Sequence, residues 1–459
     1  MQNFDISTLI LCFCSKVVPK LNSDTIKDLN ISHCRVESIK EMNLKNLEVL
    51  TLNNNFNNYE ELANYPKLKE LKISSTYIKE LSFLNSLNSL TKLTLSSDLI
   101  RDISALKQFT NLLHIDLSYN EIKDVSPLEF LTQLTYLNLY CINYRRKVEN
   151  IQRLKLLVNL EHFNIGNNDC TDVEFVQNFH KLKCLNLDKV DLTREDCNEG
   201  RHDREMDDNN MIYRIHAWQN LTDLIELDLS FIQISDISSL RNLTKIEKLD
   251  IKQNIIENIS TLQYLTNMKE LNISDNIISD ISPLRHMKQL SQLYASENNL
   301  DNVSVLQYLI NLTHIDISEN YIVFVYPLAN LINLQQFKIS ENYVLDFDSL
   351  KGLGLQPIII PRSYRYGARP SKYELHKNAI GSQCIPSNQK VAVANKMRCI
   401  DQTYSKLFKV SQRKNNLKRN LRDLQQNVEQ FVNMQTQQQI AFTQNIITLF
   451  DTVYQQNFE

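Results

Sequence analysis

The chain has 459 residues, of which 42% are hydrophobic and 22% charged, and its formal net charge at pH 7 is −3. This balance is typical of a globular protein and argues against a nucleic-acid binder over the whole length. With only six glycines, loops that cradle phosphates through backbone N–H groups are nearly excluded.

The nine cysteines are scattered and form no CxxC pair, which favours free thiols in a reducing compartment. We therefore predict a cytoplasmic protein, with the nucleus left open. The sequence contains no run of about 20 apolar residues, so we predict no membrane span. No enzyme motif is present, so we predict a non-catalytic protein without a cofactor or a metal site.

Residues 1–25 are predicted to be an N-terminal cap. Their apolar stretch Thr8–Cys14 follows Asp5, where a secretory signal would carry a basic residue. Because the end units of a repeat stack need covers, a cap is the simpler interpretation.

A repeat of about 22 residues dominates residues 26–355. Six consecutive units follow the template L-x-x-L-x-L-x-x-N-x-I-x-x-I-x-x-L-x-x-L. Position 1 of a unit is its first leucine-like residue. The six units start at Leu224, Ile246, Met268, Leu290, Leu312 and Leu334, and less regular units start at Leu47, Leu68, Leu90, Leu112, Leu134, Leu160 and Leu182.

Within a unit, the leucines at positions 4 and 6 alternate and predict a short strand with one buried face, as in Leu271 and Ile273. The later apolar residues step by three or four, which predicts a helical or 3₁₀ return. One unit cannot bury its own apolar face, but stacked units share a continuous core.

The turns carry a recurring word, as in Asp280–Leu284, Asp102–Leu106, Asp124–Leu128 and Asp236–Leu240. With the 22-residue template, this resembles the leucine-rich-repeat proteins that include a regulatory subunit of type-1 protein phosphatase and the internalin-like proteins. The resemblance implies an α/β solenoid. We expect a curved horseshoe of about 14 repeats, with parallel inner strands and outer 3₁₀ or short helices, followed by a helical or coiled-coil tail.

Two insertions break the period, near 143–156 and at 193–220. The larger one holds the only tryptophan, Trp218, in an apolar half that is predicted to pack on the solenoid. Insertions of this kind map to loops on one side of a solenoid. The insertion also holds Cys197, His202, Asp203 and His216, whose spacing fits no zinc pattern.

After the repeats, residues 356–389 are predicted to be a linker or cap, and 390–459 a basic, Gln-rich helical or coiled-coil tail. Residues 362–422 hold 15 Lys and Arg against 2 Asp and Glu. Self-association through 400–455 is a prediction, and nucleic-acid binding, unlikely for the repeats, stays open for the tail. The basic segment could also fold back on the acidic face of the repeats.

An asparagine recurs at position 9, where a buried amide can bond to the backbone of neighbouring turns. This predicted structural ladder comprises Asn55, Asn120, Asn168, Asn254, Asn276, Asn298, Asn320 and Asn342.

Positions 3, 5, 7 and 8 point away from the core, so they form the predicted partner-binding face. Acidic residues at position 8 would form a ladder of like charge that suits a basic partner, and exposed aromatic residues are typical of binding hot spots. The predicted binding residues are Asp275, Glu297, Glu319, Glu341, Asp228, Asp250, Asp316, Tyr294, His314, Tyr119, Tyr136, Tyr140 and Phe231.

Three functions fit these observations. The first is a non-catalytic scaffold that binds a protein partner on the concave face of the repeats. The second, implied by the resemblance alone, is a regulatory subunit of a protein phosphatase. The third is a surface or secreted internalin-like adhesin.

Overall fold

The computed structural model describes residues 7–11, 20–32, 36–52, 56–74, 78–143, 147–170, 172–190 and 217–353. The chain forms two compact units, Met1–Asn276 and Ile277–Glu459. The predicted tail, the metal-type residues of the larger insertion and Asn55 lie outside the described residues.

The first unit contains a parallel sheet in which consecutive repeats supply adjacent strands. Its order is β1-β3-β5 and then β6 to β14 in sequence, with β2 and β4 in a separate parallel pair. The strands are β1 Thr8–Ile10, β2 Leu21–Asn22, β3 Asp28–Asn30, β4 Met42–Asn43, β5 Val49–Leu52, β6 Glu70–Ser74, β7 Lys92–Ser96, β8 His114–Asp116, β9 Tyr136–Asn138, β10 His162–Asn164, β11 Cys184–Asn186, β12 Glu226–Asp228, β13 Lys248–Asp250 and β14 Glu270–Asn272.

The second unit continues the same pattern with β15 Gln292–Tyr294, β16 His314–Asp316 and β17 Gln336–Lys338, paired in parallel and in that order. In both units the register pairs identical repeat positions, for example Leu227 with Leu249.

The return segments of the described repeats are 3₁₀ helices. They span Tyr59–Asn64, Ser82–Ser86, Ser104–Gln108, Ser126–Phe130, Ile151–Leu156, Glu174–Asn178, Ala217–Asn220, Ser238–Asn242 and Ser260–Tyr264 in the first unit, and Ser282–His286, Ser304–Tyr308, Tyr326–Asn330 and Phe347–Leu353 in the second. The predicted solenoid of parallel strands and 3₁₀ returns is therefore confirmed.

The recurring turn word has a clear physical reason. In Asp236-Ile237-Ser238, the carboxylate of Asp236 accepts the backbone N–H of Ser238 at 2.8 Å and its hydroxyl at 2.8 Å. Asp280 does the same for Ser282. The aspartate thus satisfies a donor at the start of these two 3₁₀ returns, as an N-cap does for an α-helix.

The leucine-like positions form the core. Leu249, Ile251 and Leu262 are each at most 2% exposed. Burial of each such side chain contributes roughly 1.5–3 kcal/mol to the stability of the fold. Trp218, in the larger insertion, is 1% exposed, and its indole N–H donates to the Val173 carbonyl at 3.4 Å.

At the end of the second unit, Asp346 replaces the usual local cap. Its two carboxylate oxygens accept the backbone N–H groups of Val325 at 2.6 Å and Tyr326 at 2.7 Å, about 20 residues earlier. Burial raises the pKa of Asp346 to about 6, although these hydrogen bonds oppose the rise.

This carboxyl predicts a pH dependence of stability. A pKa that is higher in the folded than in the unfolded state means that the stabilisation is complete below pH 4 and is lost as pH rises through about 6. In urea unfolding, the free energy of unfolding of the wild type should fall relative to that of Asp346→Asn as pH rises from 4 to 7, by up to about 3 kcal/mol. A difference that is flat or rises with pH would contradict the assignment.

Candidate functional site on the strand face

The face of the strands opposite the core is the candidate site. Because side chains alternate along a strand, positions 4 and 6 enter the core while positions 3 and 5 lie on this face. In β12, Leu227 is 3% exposed, whereas Glu226 is exposed and Asp228 half-buried.

Three neighbouring rings at position 3 form a row, which we call the aromatic row: His114, Tyr136 and His162. The His114 and Tyr136 centroids lie 3.9 Å apart with planes 7° from parallel. Tyr136 and His162 lie 5.9 Å apart at 37°. Burial lowers the pKa of His114 and raises that of Tyr136. Both groups are therefore biased towards their neutral forms.

A second pair of rings lies beside this row, at positions 7 and 8. Tyr119 is 54% exposed, and its ring centroid is 5.3 Å from that of Tyr140. The Tyr140 hydroxyl donates to Asp188 at 3.4 Å, and burial together with Asp188 raises the pKa of Tyr140 to about 12. The structure thus brings Tyr119, Tyr136 and Tyr140, all predicted binding residues, together with two histidines.

The aspartates at position 5 have a backbone role that the sequence interpretation did not assign. Asp228 accepts the N–H of Ser230 at 3.0 Å through one oxygen, and the amide of Asn186 at 3.0 Å through the other. Asp250 is held in the same way by Lys252 and Asn272, each at 2.9 Å.

Burial raises the pKa of both Asp228 and Asp250, and a neighbouring carboxylate adds to the rise in each case. In the second unit, Asp316 accepts the N–H of Ser318 at 3.2 Å and lies 3.3 Å from the Lys338 ammonium. These aspartates therefore close the turn after their strands. Their contribution to partner binding stays a prediction.

Position 8 has a left-handed backbone in repeat after repeat. The predicted carboxylates Asp275, Glu297, Glu319 and Glu341 have φ between 53° and 57°. Asp275 is half-buried and the three glutamates are exposed. In the second unit, the N–H of Glu297 donates to Ser318 and that of Glu319 to Ser340, so this turn also repeats in register.

The remaining predicted binding residues have local partners. Phe231, half-buried at position 8, lies under the ammonium groups of Lys189 at 4.7 Å and Lys252 at 5.7 Å. The Tyr294 hydroxyl donates to the Gln292 side chain at 2.9 Å. His314 Nδ1 lies 2.8 Å from the Thr313 hydroxyl.

The described asparagines at position 9 bond across repeats. Asn120 is typical: its amide nitrogen donates to the carbonyls of Leu95, Leu117 and Ser118, and its oxygen accepts the N–H of Ile100. The equivalent oxygen accepts a backbone N–H from the preceding repeat in Asn168, Asn254, Asn276, Asn298, Asn320 and Asn342.

An open concavity of about 310 Å³ lies on the strand face of the first unit. Tyr136 and His162 are part of its lining, as are four carboxylate-bearing residues and one lysine. The charged lining residues are Glu226, Asp228, Lys248, Asp250 and Glu270. Within the described residues, no group of three or more His, Cys, Asp or Glu side chains has an arrangement that could hold a metal ion.

Comparison with solved structures identifies the architecture. An internalin (inlF) from Listeria monocytogenes is 30% identical in a match that covers 63% of this chain and 80% of that one, with a TM-score of 0.53. The chain belongs to the leucine-rich-repeat proteins. The functional domain of InlJ, also from Listeria monocytogenes, is 20% identical over 69% of this chain and 63% of its own, with a TM-score of 0.52, and supports the fold alone. No protein-family model and no curated protein matches the chain.

The leucine-rich-repeat template did not reveal every residue of this face. His114, His162 and Asp188 were missed, although the unit starts at Leu112 and Leu160 place both histidines at position 3, the position of Tyr136. Listing position 3 of every repeat would have found the aromatic row. The contact of Asp188 with Tyr140, 48 residues away, has no signal in the repeat pattern.

Gly166 occupies position 7 in a crowded part of this leucine-rich-repeat face. A β-carbon there would lie 2.6 Å from the Asn186 side-chain oxygen and 3.0 Å from both the Asp188 carbonyl and the Tyr140 ring. Because one of those contacts is with backbone, Gly166→Ala should destabilise the fold by about 1–3 kcal/mol. Urea unfolding would measure this.

Gly352 offers a matched control, since a β-carbon there would meet nothing within 4 Å. Gly352→Ala should change the unfolding free energy by less than about 0.5 kcal/mol. Equal effects of the two substitutions would contradict the crowding at Gly166.

Proposed function

We propose that the chain is a non-catalytic interaction scaffold whose strand face binds a polypeptide partner. The observation that carries the proposal is the aromatic row, together with the concavity next to it. The core requires leucine-like residues at positions 4 and 6, but it does not require rings at position 3. Half-buried rings beside charged side chains are typical of the anchor residues of protein interfaces.

The charge of the second unit supports a basic partner. Glu297, Glu319 and Glu341 are exposed at equivalent turns. A basic partner would be attracted to these carboxylates, which recur at successive turns. Electrostatic attraction of this kind also accelerates association and makes it sensitive to salt.

The test is capture of a partner from native lysate by the tagged full-length chain. A triple variant with Lys at 297, 319 and 341 should lose the partner while keeping the wild-type circular dichroism spectrum. The matched control carries the same charge change at exposed Glu60, Glu80 and Glu257, which lie outside the strands. The proposal fails if the partner is retained by the first variant or lost equally from both.

The identity of the partner decides between the scaffold and the regulatory subunit. One outcome is that the wild type captures a phosphatase catalytic subunit and the triple variant of Glu297, Glu319 and Glu341 does not. That result would favour the regulatory subunit. Any other partner with the same dependence would favour a general scaffold. The comparison of the full chain with residues 1–355 would show whether the predicted tail contributes or self-associates.

The similarity to an internalin favours the adhesin as a second candidate. Against it stands the state of the described cysteines, since Cys141, Cys170 and Cys184 are free thiols, which supports a reducing compartment such as the cytoplasm. Within the described ranges, no helix has the length and apolarity needed to cross a membrane. Protease treatment of intact cells would separate the locations, because only a surface protein would be degraded.

A further inference from the structure

The concavity of the first unit has two chemically different walls. Tyr136 and His162 supply rings on one side, and the other side is formed by β12 to β14. His114, which is not part of the lining, stacks on Tyr136 and holds that ring in place. One side therefore offers two aromatic rings, of which Tyr136 is already oriented in the free protein.

The opposite wall carries an excess of negative charge. Glu226, Asp228, Asp250 and Glu270 share one lining cation, Lys248. Its ammonium lies 3.9 Å from Glu226, which is exposed, and 3.6 Å from Glu270, which is half-buried, so two carboxylates share a single lysine.

The two aspartates on this wall are fixed in place. Each is held by a backbone N–H and an asparagine amide, so neither has to be reoriented when a ligand arrives. Burial disfavours their charged forms, and the pKa of each is raised. A cation in the concavity would favour the ionised carboxylates of Asp228 and Asp250. These carboxylates would in turn attract the cation.

We propose that this concavity receives an arginine side chain of the polypeptide partner, with the guanidinium between the Tyr136 and His162 rings and the carboxylates of β12 and β13. This inference rests on the proposed binding of a polypeptide on the strand face. Arginine fits because its guanidinium is flat, stacks on rings and carries five N–H donors for carboxylates. A lysine ammonium would be attracted to the carboxylates but could not stack on the rings, because it is not planar.

Titration of the full-length chain with Nα-acetyl-arginine methylamide tests the inference directly. Ring resonances of Tyr136 and His162 would be followed by NMR in Tyr- and His-labelled protein. The lysine and citrulline equivalents serve as probes of charge without planarity and of planarity without charge. We expect saturable shifts with the arginine probe, with binding at least about threefold weaker for lysine and tenfold weaker for citrulline.

Variants separate the two walls. Glu226→Gln should weaken binding of the arginine probe about threefold to tenfold, and Tyr136→Leu should do the same while reducing the preference for arginine over lysine. Glu226 is exposed, so its substitution leaves the core intact. Glu257→Gln, at an exposed position outside the strands, should leave binding unchanged.

The outcomes distinguish this inference from the proposed function. No saturable shift, equal binding of arginine and citrulline, or no effect of Glu226→Gln would overturn the arginine site, even if partner capture still depended on the strand face. Saturable and selective binding of arginine that Glu226→Gln weakens would support the site, even if the captured partner proved independent of the face.

Discussion

Replacement of Asn320 by alanine should destabilise the second unit by about 2–6 kcal/mol. The Asn320 amide donates to the carbonyls of Ala295, Ile317 and Ser318 at 2.9–3.2 Å, and its oxygen accepts the N–H of Leu300 at 2.9 Å. The side chain is only 4% exposed. Alanine would remove the partner of the Leu300 N–H and of the Ala295 carbonyl, each at a cost of about 1–3 kcal/mol. The other two carbonyls keep bonds from Asn342 and from the Glu297 N–H.

Hydrogen exchange is the most direct measurement, because the Leu300 amide should lose its protection in the variant. The urea midpoint by circular dichroism should fall in parallel. Asn311 provides the control nine residues earlier: its exposed amide makes one bond, to the Lys288 carbonyl at 2.8 Å. Asn311→Ala should cost about 1 kcal/mol or less. Equal costs for the two variants would mean that the buried amide is not a structural link.

Replacement of Phe179 by alanine should cost the first unit about 3–5 kcal/mol, the usual range for a buried phenylalanine. Phe179 is fully buried and packs edge to face against Phe163 at 5.5 Å and Phe175 at 5.8 Å. The loss combines the transfer energy of the ring with the cavity that remains.

The only tryptophan can report this change. Trp218 is buried and bonded to the carbonyl of Val173, close in the chain to this aromatic cluster. Urea unfolding followed by its fluorescence should show a lower midpoint for Phe179→Ala. Phe130→Ala is the control, because Phe130 is 49% exposed and its only ring contact in the described region is with Lys107 at 5.9 Å. A comparable shift in both would contradict the packing argument.

The repeat period predicted most of the backbone. The alternation at positions 4 and 6 predicted which strand residues are buried, as Leu271 and Ile273 show. These features follow from burial and from a fixed repeat length, which can be read from one sequence. The apolar steps of three and four predicted helical or 3₁₀ returns, and the structure has 3₁₀ helices there.

The candidate site was less predictable because it depends on the choice of hydrogen-bond partners. Asp228 and Asp250 were interpreted as exposed binding groups, but each also closes its own turn and bonds to an asparagine of a neighbouring strand. The parallel stacking of His114 on Tyr136 depends on ring rotamers that the sequence does not specify. Asp346 shows the same limit, since it resembles the local caps but bonds to the preceding repeat.

The left-handed turn at position 8 restricts how this face can diversify. Glycine is the residue best suited to positive φ, yet in the described repeats eleven residues at position 8 have positive φ and all carry side chains: Ser97, Tyr119, Cys141, Asn167, Lys189, Phe231, Gln253, Asp275, Glu297, Glu319 and Glu341. Branching at the β-carbon makes this conformation costly, and none of these residues is valine, isoleucine or threonine. Mutation at position 8 can thus exchange charged, aromatic and amide side chains at a similar backbone cost, whereas valine, isoleucine and threonine are disfavoured. A combinatorial library for new binding specificities should therefore vary position 8 and leave out these three residues.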